Sequence, residues 1–393
     1  MSLNFDTYFD KKTYELSRRP VEEALTLPPA LYREPGLFAK EQNKVFSHAW
    51  VCIGYTSEVD VPGKMLRSVV DGQPIVVTRD KSGHLRGFYN VCRHRGSMLV
   101  TCDDKVERFR CPYHSWTYDL NGKLQNCPLF MNTQSPQNFN KEDYNLLPIR
   151  VESFGCFIFV NLDERAEPLS DYLGDLPHHY KNWPLHELVL VKRKKYDIKA
   201  NWKLIAENFL EYYHLPWVHP ELCEVAAIDM HKRNQGQGMY MSFYASPLLR
   251  GNTPLDAGYL PAMPNISDIE ANSGYFPFVF PNLAMFLLPH HLFCLIMKPT
   301  AIDSTEEYGD ILVHPSLLQE DGFQEKLEEI FKFYDMVNIQ DIVAVEKVQE
   351  GLKVRAYPGG RMNFRFEEPV HRFQNMVIDY VTGERHIYPA DQG

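Results

Sequence analysis

Between about residues 46 and 165, apolar positions occur in short runs that are rich in β-branched and aromatic residues. Examples are MLRSVV, PIVVTRD, LRGFYNVC and FGCFIFVNL. Turn signals separate these runs at Pro62-Gly63, Asp71-Gly72, Ser82-Gly83 and Asn121-Gly122. Short apolar runs with such boundaries predict strands. We therefore expect a small all-β domain over residues 46–165.

The remaining chain has longer, helix-like patterns. These patterns cover about residues 200–214 and 323–352, and strand-like segments lie between them. This alternation predicts an α+β domain over residues 166–393. Residues 1–45 carry short helical signals without a strand pattern, and we expect this segment to pack on the second domain.

Composition and charge exclude several classes of protein. The chain of 393 residues has 41 lysines and arginines against 51 aspartates and glutamates, so its net charge is −10. Without a long basic run, this balance argues against a nucleic-acid partner.

The polar first residues lack the apolar core of a signal peptide, and FGCFIFV and LAMFLL are too short to cross a membrane. We therefore expect a cytoplasmic protein, in which eight cysteines are too few for a disulfide scaffold.

Two pairs of cysteine and histidine lie within the predicted all-β domain. Cys92-Arg93-His94 and Cys111-Pro112-Tyr113-His114 are separated by residues 95–110, so each of two loops offers one thiolate and one imidazole. Such a set can bind a tetrahedral zinc ion or a Rieske [2Fe-2S] cluster. Zinc sites usually pair like with like, as C-x-x-C and H-x-x-x-H. The spacing therefore favours the Rieske cluster.

A second set of candidate ligands lies between residues 201 and 220. Helical periodicity is interrupted there by Pro216, since proline in a helix interior removes a backbone hydrogen bond. Glu211 and His214 are expected to share a helix face, and the break lets the chain turn His219 toward His214. Two imidazoles and a carboxylate form the site that binds iron(II) with open positions for oxygen. Judged by this spacing alone, two structural histidines are the stronger alternative.

Both sets resemble the motifs of one enzyme family. CRHRGS and CPYHSWTYDLNGKL are similar to the oxygenase loops CxHRG and CPYHGW, and NWK, ENF and E-x-x-H-x4-H are similar to the iron motif that follows them. Over residues 40–352 the chain resembles the large subunits of Rieske non-haem iron oxygenases. This resemblance implies an all-β Rieske domain followed by a helix-grip catalytic domain. Ser115 replaces the usual glycine, and we expect it to perturb packing near His114 without removing ligation.

The resemblance also implies which residues bind metal. Cys92, His94, Cys111 and His114 would hold the [2Fe-2S] cluster, whereas His214 and His219 would hold a mononuclear iron(II). The third iron ligand would be Asp341, which is followed by Glu346 and Gln349 as in the family. Asp335 is the second choice, and Asp341 as an ordinary solvated helix residue remains an alternative.

Glu211 has a separate role by resemblance. It would bridge His214 to a Rieske histidine of a neighbouring subunit, which fixes both rings and shortens the electron path. Many ring dioxygenases have aspartate at this position. This chain has glutamate, and it has one residue fewer between Asn208 and the acidic residue. Both differences are similar to the branch of the family that acts on quaternary amines. Asn208 itself is either a residue near the iron or a packing residue of the helix.

The resemblance further implies partners and cofactors. No G-x-G-x-x-G stands between a strand and a helix, and there is no ferredoxin-type cysteine run. A separate flavin and iron–sulfur reductase would therefore deliver electrons from NAD(P)H, and O2 would react at the iron. Because the two metals of one chain are expected to be too far apart, a head-to-tail homotrimer is implied.

The substrate expected by resemblance is a small molecule with a quaternary ammonium group. We expect a terminal oxygenase that demethylates a betaine or carries out a choline-type oxidation. An aromatic cage suits such a cation, and unassigned candidates for it are Phe209, Tyr212, Tyr213, Trp217 and residues 275–280. The alternatives are an aromatic-ring dioxygenase that makes a cis-diol and a non-catalytic electron-transfer protein. The set of Glu211, His214, His219 and Asp341 argues against the latter.

Overall fold

A computed structural model describes residues 5–129, 139–248, 253–384, 386 and 388. The chain divides into two compact units, which are Phe46–Leu169 and the combination of Met1–Val45 with Ser170–Gly393. We name the first the β unit and the second the α+β unit. The expected domains also include residues 1–4, 130–138, 249–252, 385, 387 and 389–393, which lie outside the described residues.

The β unit contains two antiparallel sheets. Its strands are β1 Val51–Tyr55, β2 Met65–Val70, β3 Gln73–Arg79, β4 Leu85–Tyr89, β5 Phe109–Arg110, β6 Thr117–Tyr118, β7 Leu124–Asn126, β8 Pro148–Phe154 and β9 Phe157–Asn161. The larger sheet has the order β1-β9-β8-β4-β3-β2, and the smaller has the order β5-β6-β7. No α-helix interrupts these strands within the described part of the unit, so the expected all-β class is confirmed.

The turn signals lie at turns, as predicted. Asp71 and Gly72 join β2 to β3, and both have positive φ, 48° and 69°. This pair of left-handed residues matches the right-handed twist of a hairpin with a two-residue loop. Gly63 also has positive φ, 83°, and a Cβ atom there would lie 1.8 Å from the carbonyl oxygen of Val106. Glycine at this position is therefore required by close contact as well as by conformation.

The α+β unit is organised around one antiparallel sheet of seven strands, in the order β10-β16-β15-β14-β13-β12-β11. These strands are β10 Val189–Ile198, β11 His231–Arg233, β12 Tyr240–Ala245, β13 Gly274–Val279, β14 Leu283–Leu288, β15 His291–Ala301 and β16 Ser304–Val313. The helices of the chain are α1 Ala30–Arg33, α2 Pro35–Val45, α3 Leu169–Leu173, α4 Leu176–His179, α5 Trp202–Phe209, α6 Leu215–Val218, α7 Pro220–Val225, α8 Phe323–Gly351 and α9 Glu368–Thr382. Both predicted helical patterns therefore contain helices, and the expected α+β class is confirmed. None of these helices has the length and apolarity that a membrane span requires.

A buried ion pair joins the first helices to the start of α5. Lys203 Nζ lies 2.7 Å from a carboxylate oxygen of Glu41 and donates to the carbonyl of Leu31. The indole of Trp202 donates to the same carboxylate at 2.9 Å. Separating Lys203 from Glu41 would leave a buried charge without its partner, which costs about 3–5 kcal/mol. The ion pair therefore keeps the start of α5 in contact with the first helices.

The end of α8 is held against the same region by a buried amide. Gln349 Oε1 accepts from the backbone N–H of Asn201, and its Nε2 donates to the carbonyl of Tyr32, both at 2.9 Å. One turn earlier, Glu346 accepts from the backbone N–H of Lys199. These bonds set the axial position of α8 and, with it, the position of every residue that α8 presents to the sheet.

Candidate functional site

In the β unit, each cysteine of the two pairs begins a tight loop. Cys92 follows β4 and exchanges backbone hydrogen bonds with Gly96 and Ser97, whereas Cys111 follows β5 and exchanges them with Ser115 and Trp116. The two loops have matching bonding patterns although their sequences differ. Each loop therefore presents a cysteine and a histidine in a similar way.

The four side chains converge. The imidazoles of His94 and His114 lie with ring centroids 4.7 Å apart, and the thiols of Cys92 and Cys111 are within hydrogen-bonding contact. Both cysteines are buried, whereas both histidines are partly exposed. Paired thiols beneath paired imidazoles are the donor set that a Rieske cluster needs.

The environment of this set stabilises thiolate at one cysteine. Burial raises the pKa of Cys92. Burial acts in the same direction on Cys111, but hydrogen bonds from the backbone N–H groups of Tyr113 and His114, together with those of the Cys92 and Ser97 side chains, outweigh it and lower the pKa of that thiol. The ring of His94 stacks on Trp116 at 4.8 Å, which orients the imidazole.

Ser115 has a left-handed backbone conformation, with φ of 59°. This conformation is strained for a residue with a Cβ atom and unstrained for glycine. Its hydroxyl accepts a hydrogen bond from Arg110 at 3.1 Å. The departure from the family motif therefore falls at a position where the backbone favours glycine.

In the α+β unit, the predicted position of the helix break is wrong. Helix α5 ends at Phe209, and Pro216 lies in the first turn of α6. Glu211 and His214 consequently lie in the connecting loop rather than on one helix face. The physical reason is that the Glu211 carboxylate accepts from the backbone N–H groups of Tyr213 and His214, which replaces helical bonding. Proline is tolerated in a first turn because its missing N–H would have no helical partner there.

The structure brings His214, His219 and Asp341 together, with their donor atoms all within 4.8 Å of one another. Asp341 Oδ1 lies 2.7 Å from Nε2 of His219 and 3.5 Å from Nε2 of His214. Asp335 is not part of this group, because its carboxylate binds Lys194 and the hydroxyl of Tyr196. Among the two candidate aspartates, the geometry therefore favours Asp341.

Both imidazoles are fixed through their other ring nitrogen. Nδ1 of His214 lies 2.6 Å from Glu211 Oε1, and Nδ1 of His219 lies 2.7 Å from Gln340 Oε1. This leaves both Nε2 atoms directed toward Asp341, which is the usual orientation of histidines that bind metal. Gln340 was missed from the sequence, and its only signal is that it directly precedes Asp341.

Electrostatics at this group favour a cation. Burial alone would lower the pKa of His214, but the hydrogen bond and charge of Glu211, together with the charge of Asp341, raise it. Two carboxylates around two imidazoles therefore create a negative site that fits a divalent ion.

A cavity extends from these residues into the unit, and its described walls are mainly apolar, with aliphatic side chains more numerous than aromatic rings. The lining rings are those of Phe209, Tyr212, Phe243, Phe276, Phe286, Phe293 and Tyr334. Asn208 also lines the cavity and is half-buried. Tyr213 and Trp217 do not line it, and their exposed fractions are 48% and 81%. The two phenylalanines on β14 and β15 were missed because their facing depends on strand register.

One further acidic residue lines the same cavity. Glu307, on β16, is fully buried, and its Oε1 accepts from Asn338 Nδ2 at 2.7 Å. Burial raises the pKa of this carboxyl to about 7. The sequence offered no signal for Glu307, which lies in a strand with acidic neighbours.

Comparison with known proteins places this geometry among oxygenases. The family described as "Ring hydroxylating alpha subunit (catalytic domain)" matches residues 185–383, and the family described as "Rieske [2Fe-2S] domain" matches residues 49–137. The carnitine monooxygenase oxygenase subunit of Acinetobacter pittii is 30% identical over 86% of this chain and 87% of its own length. The glycine betaine monooxygenase oxygenase subunit of Pseudomonas aeruginosa is 27% identical over 90% of this chain and 89% of its own length. The solved structure of the quaternary ammonium Rieske monooxygenase CntA with L-carnitine has a TM-score of 0.79 and 26% identity, over 93% of this chain and 98% of that one.

Replacing Ser115 by glycine is expected to stabilise the β unit by about 0.5–1 kcal/mol, because glycine adopts positive φ without strain. Thermal unfolding of the cluster-loaded chain, followed by the visible absorbance of the cluster, measures this. Ser115→Ala is the control, since it keeps the strain and removes the bond to Arg110. Equal changes in the two variants would show that the hydroxyl, rather than the backbone, sets the stability.

Proposed function

The chain belongs to the ring-hydroxylating alpha-subunit family, and from this membership we propose that it is the terminal oxygenase for a small quaternary ammonium compound. The observation that carries the proposal is the apolar cavity that opens from His214, His219 and Asp341 and has aromatic rings among its aliphatic walls. A quaternary nitrogen has no proton to donate, so aromatic rings recognise it better than hydrogen-bond acceptors do. The relatives that act on carnitine and glycine betaine support this substrate class.

The enzyme is a Rieske-type monooxygenase, whose family uses a [2Fe-2S] cluster and a mononuclear iron. Within residues 46–165, Cys92, His94, Cys111 and His114 would hold the cluster. In the catalytic domain, residues 166–393 with 1–45, His214, His219 and Asp341 would bind the iron(II). When bound, these two centres supply electrons and activate O2.

Residues of the chain prepare the site for that chemistry. Glu211 and Gln340 accept the Nδ1 protons of the two histidines, so each Nε2 is a neutral donor. The rings of the cavity exclude water and surround the cation, which places a carbon next to the nitrogen near the metal. Asn208 lines the wall at the same end and is proposed to contact substrate or water there.

The overall reaction consumes O2, two electrons and two protons, and it produces the hydroxylated amine and water. If the hydroxylated carbon is an N-methyl group, the product loses formaldehyde and leaves a demethylated amine. If it is an alcohol carbon, the product is an aldehyde hydrate. A separate reductase, consistent with the designation of the relatives as oxygenase subunits, supplies the electrons from NAD(P)H.

We further propose a cytoplasmic homotrimer with head-to-tail electron transfer. Exposed apolar side chains surround both ends of the electron path, namely Tyr113 and Met98 beside the cluster loops and Tyr213 and Trp217 beside Glu211. Exposed apolar groups of this kind mark interaction surfaces. None of the eight cysteines forms a disulfide, which is consistent with a reducing compartment.

The proposed activity is tested by oxygen uptake of the iron-loaded protein with a surrogate reductase. The panel contains choline, glycine betaine, carnitine, proline betaine, benzoate and naphthalene, with formaldehyde measured alongside. Formaldehyde equal to oxygen consumed with one amine is expected for a demethylase, and an aldehyde product for choline-type oxidation. A cis-diol from naphthalene or benzoate, without turnover of any amine, would contradict the proposal and favour a ring dioxygenase.

His214→Ala is expected to lower bound mononuclear iron by at least about tenfold and to keep the cluster spectrum, because it removes one of three ligands. Metal analysis together with visible absorbance measures both. His231→Ala is the control, since His231 lines the same cavity but lies outside the group of three donors. Its Nδ1 lies 3.1 Å from the carbonyl oxygen of Ala227. Unchanged iron content in His214→Ala would remove this residue from the site.

Glu211→Gln is expected to keep both metals and to slow electron transfer at least about tenfold, because the NH2 group that replaces one carboxylate oxygen cannot accept a hydrogen bond from the second imidazole. Single-turnover product formation by the reduced protein measures the rate. Glu224→Gln, an exposed residue in α7, is the matched control for loss of one charge. An unaltered single-turnover rate in Glu211→Gln would contradict the bridging role.

A further inference from the structure

The cavity contains one carboxylate that the proposed iron site does not use. Glu307 has an exposed fraction of 0%, and its Oε1 is bound by Asn338. Its Oε2 is buried and has no hydrogen-bond partner among the described residues. A buried carboxylate oxygen of this kind is energetically costly unless it is protonated, which the pKa of about 7 permits, or a cation compensates its charge.

Among the residues that the structure describes, no cationic side chain is bonded to Glu307. Its cross-strand neighbours are Tyr196 on β10 and Met297 on β15. Lys194, two residues from Tyr196 and on the same face of β10, is bonded to Asp335 instead. The described lining of the cavity includes neither lysine nor arginine.

The other two carboxylates of the cavity are already engaged. Glu211 binds His214, and Asp341 lies against both histidines, where each offsets charge of a divalent ion. Asp341 acts on Glu307 only as a like charge. Glu307 is therefore the acidic group of this cavity that is left for a cation from outside the chain.

A quaternary ammonium fits this role chemically. It carries a full positive charge but no N–H, so it can approach a carboxylate without needing a hydrogen bond, while its methyl groups contact aromatic rings. Attraction between opposite charges is strong in a cavity from which water is excluded. The Phe293 and Tyr334 rings, which stack at 4.0 Å, line the same cavity and supply apolar surface.

We propose that Glu307 is the counter-charge for the cationic nitrogen of the substrate, and so makes this site select a cation over a neutral molecule of the same shape. The inference rests on the proposed function and deepens it. It assigns charge recognition to a residue of β16 that lies outside both metal sites. The bond from Asn338 holds Oε1 in place, whereas Oε2 is buried and has no hydrogen-bond partner among the described residues.

The test compares a quaternary ammonium compound with the isostere in which carbon replaces the charged nitrogen. Choline and 3,3-dimethylbutan-1-ol differ in one atom, nitrogen against carbon, and glycine betaine and 3,3-dimethylbutanoate form a second pair. Calorimetric titration of the iron-loaded full chain gives the dissociation constant of each compound. The unsubstituted protein is expected to bind the cation of at least one pair about tenfold or more tightly than its isostere.

Glu307→Gln is expected to weaken binding of that cation about tenfold or more and to change binding of its isostere less than about threefold. Its iron content should stay unchanged, since Glu307 is not a ligand, and its amide oxygen can still accept from Asn338. Glu307→Asp should restore the preference for the cation, which keeps the proposal testable if the glutamine variant folds poorly. Glu306→Gln is the matched control, because this neighbour on β16 has the same charge but pairs with Lys195.

Three results would overturn the inference. If Glu307→Gln weakens both members of a pair equally, the residue has a structural role. If cations bind and are turned over but the preference is unchanged in Glu307→Gln, only the role of Glu307 is wrong. If no amine binds the unsubstituted protein and an aromatic hydrocarbon is oxidised, the proposed substrate class fails together with this inference.

Discussion

The buried amide of Gln349 is the contact on which the geometry of the catalytic unit depends. It joins the end of α8 to the start of α5 and to the N-terminal segment, through the backbone groups of Asn201 and Tyr32. Asp341 lies two helical turns before Gln349, so the axial position of the whole helix decides where that carboxylate falls. The histidines, in turn, follow α5, whose start is fixed by the ion pair of Lys203 and Glu41. Both halves of the candidate iron site are therefore positioned by buried polar bonds at a distance from it.

The cavity combines two properties that usually oppose each other. Its walls are mainly aliphatic and aromatic, which favours apolar ligands, yet Glu211, Glu307 and Asp341 also line it. Buried carboxylates are tolerated where a metal ion or a bound cation supplies the missing charge. An apolar hydrocarbon would leave Glu307 uncompensated, whereas a quaternary ammonium would compensate it. This contrast is what the proposed role of Glu307 would add to the selectivity of the site for an amine.

The two metal sites differ in how far apart along the chain their candidate ligands lie. In the β unit, each loop of a few residues places its own cysteine and histidine, and the sheet has only to bring two similar loops together. The strained backbone of Ser115 shows that the loop geometry persists when its preferred glycine is absent. The iron site instead draws His214 and Asp341 from elements that are more than a hundred residues apart.

The sequence by itself determined what depends on neighbours along the chain. The turns with left-handed residues, the two cysteine–histidine loops and the close spacing of Glu211, His214 and His219 are all local, and so could be predicted together with the family. Tertiary structure decided the rest. The hydrogen bonds of Glu211 end α5 at Phe209 rather than at Pro216, and the bonds of Gln349 bring Asp341 rather than Asp335 to the histidines. The aromatic walls and Glu307 depend on strand register and on the helix that covers the sheet, which no local pattern of residues encodes.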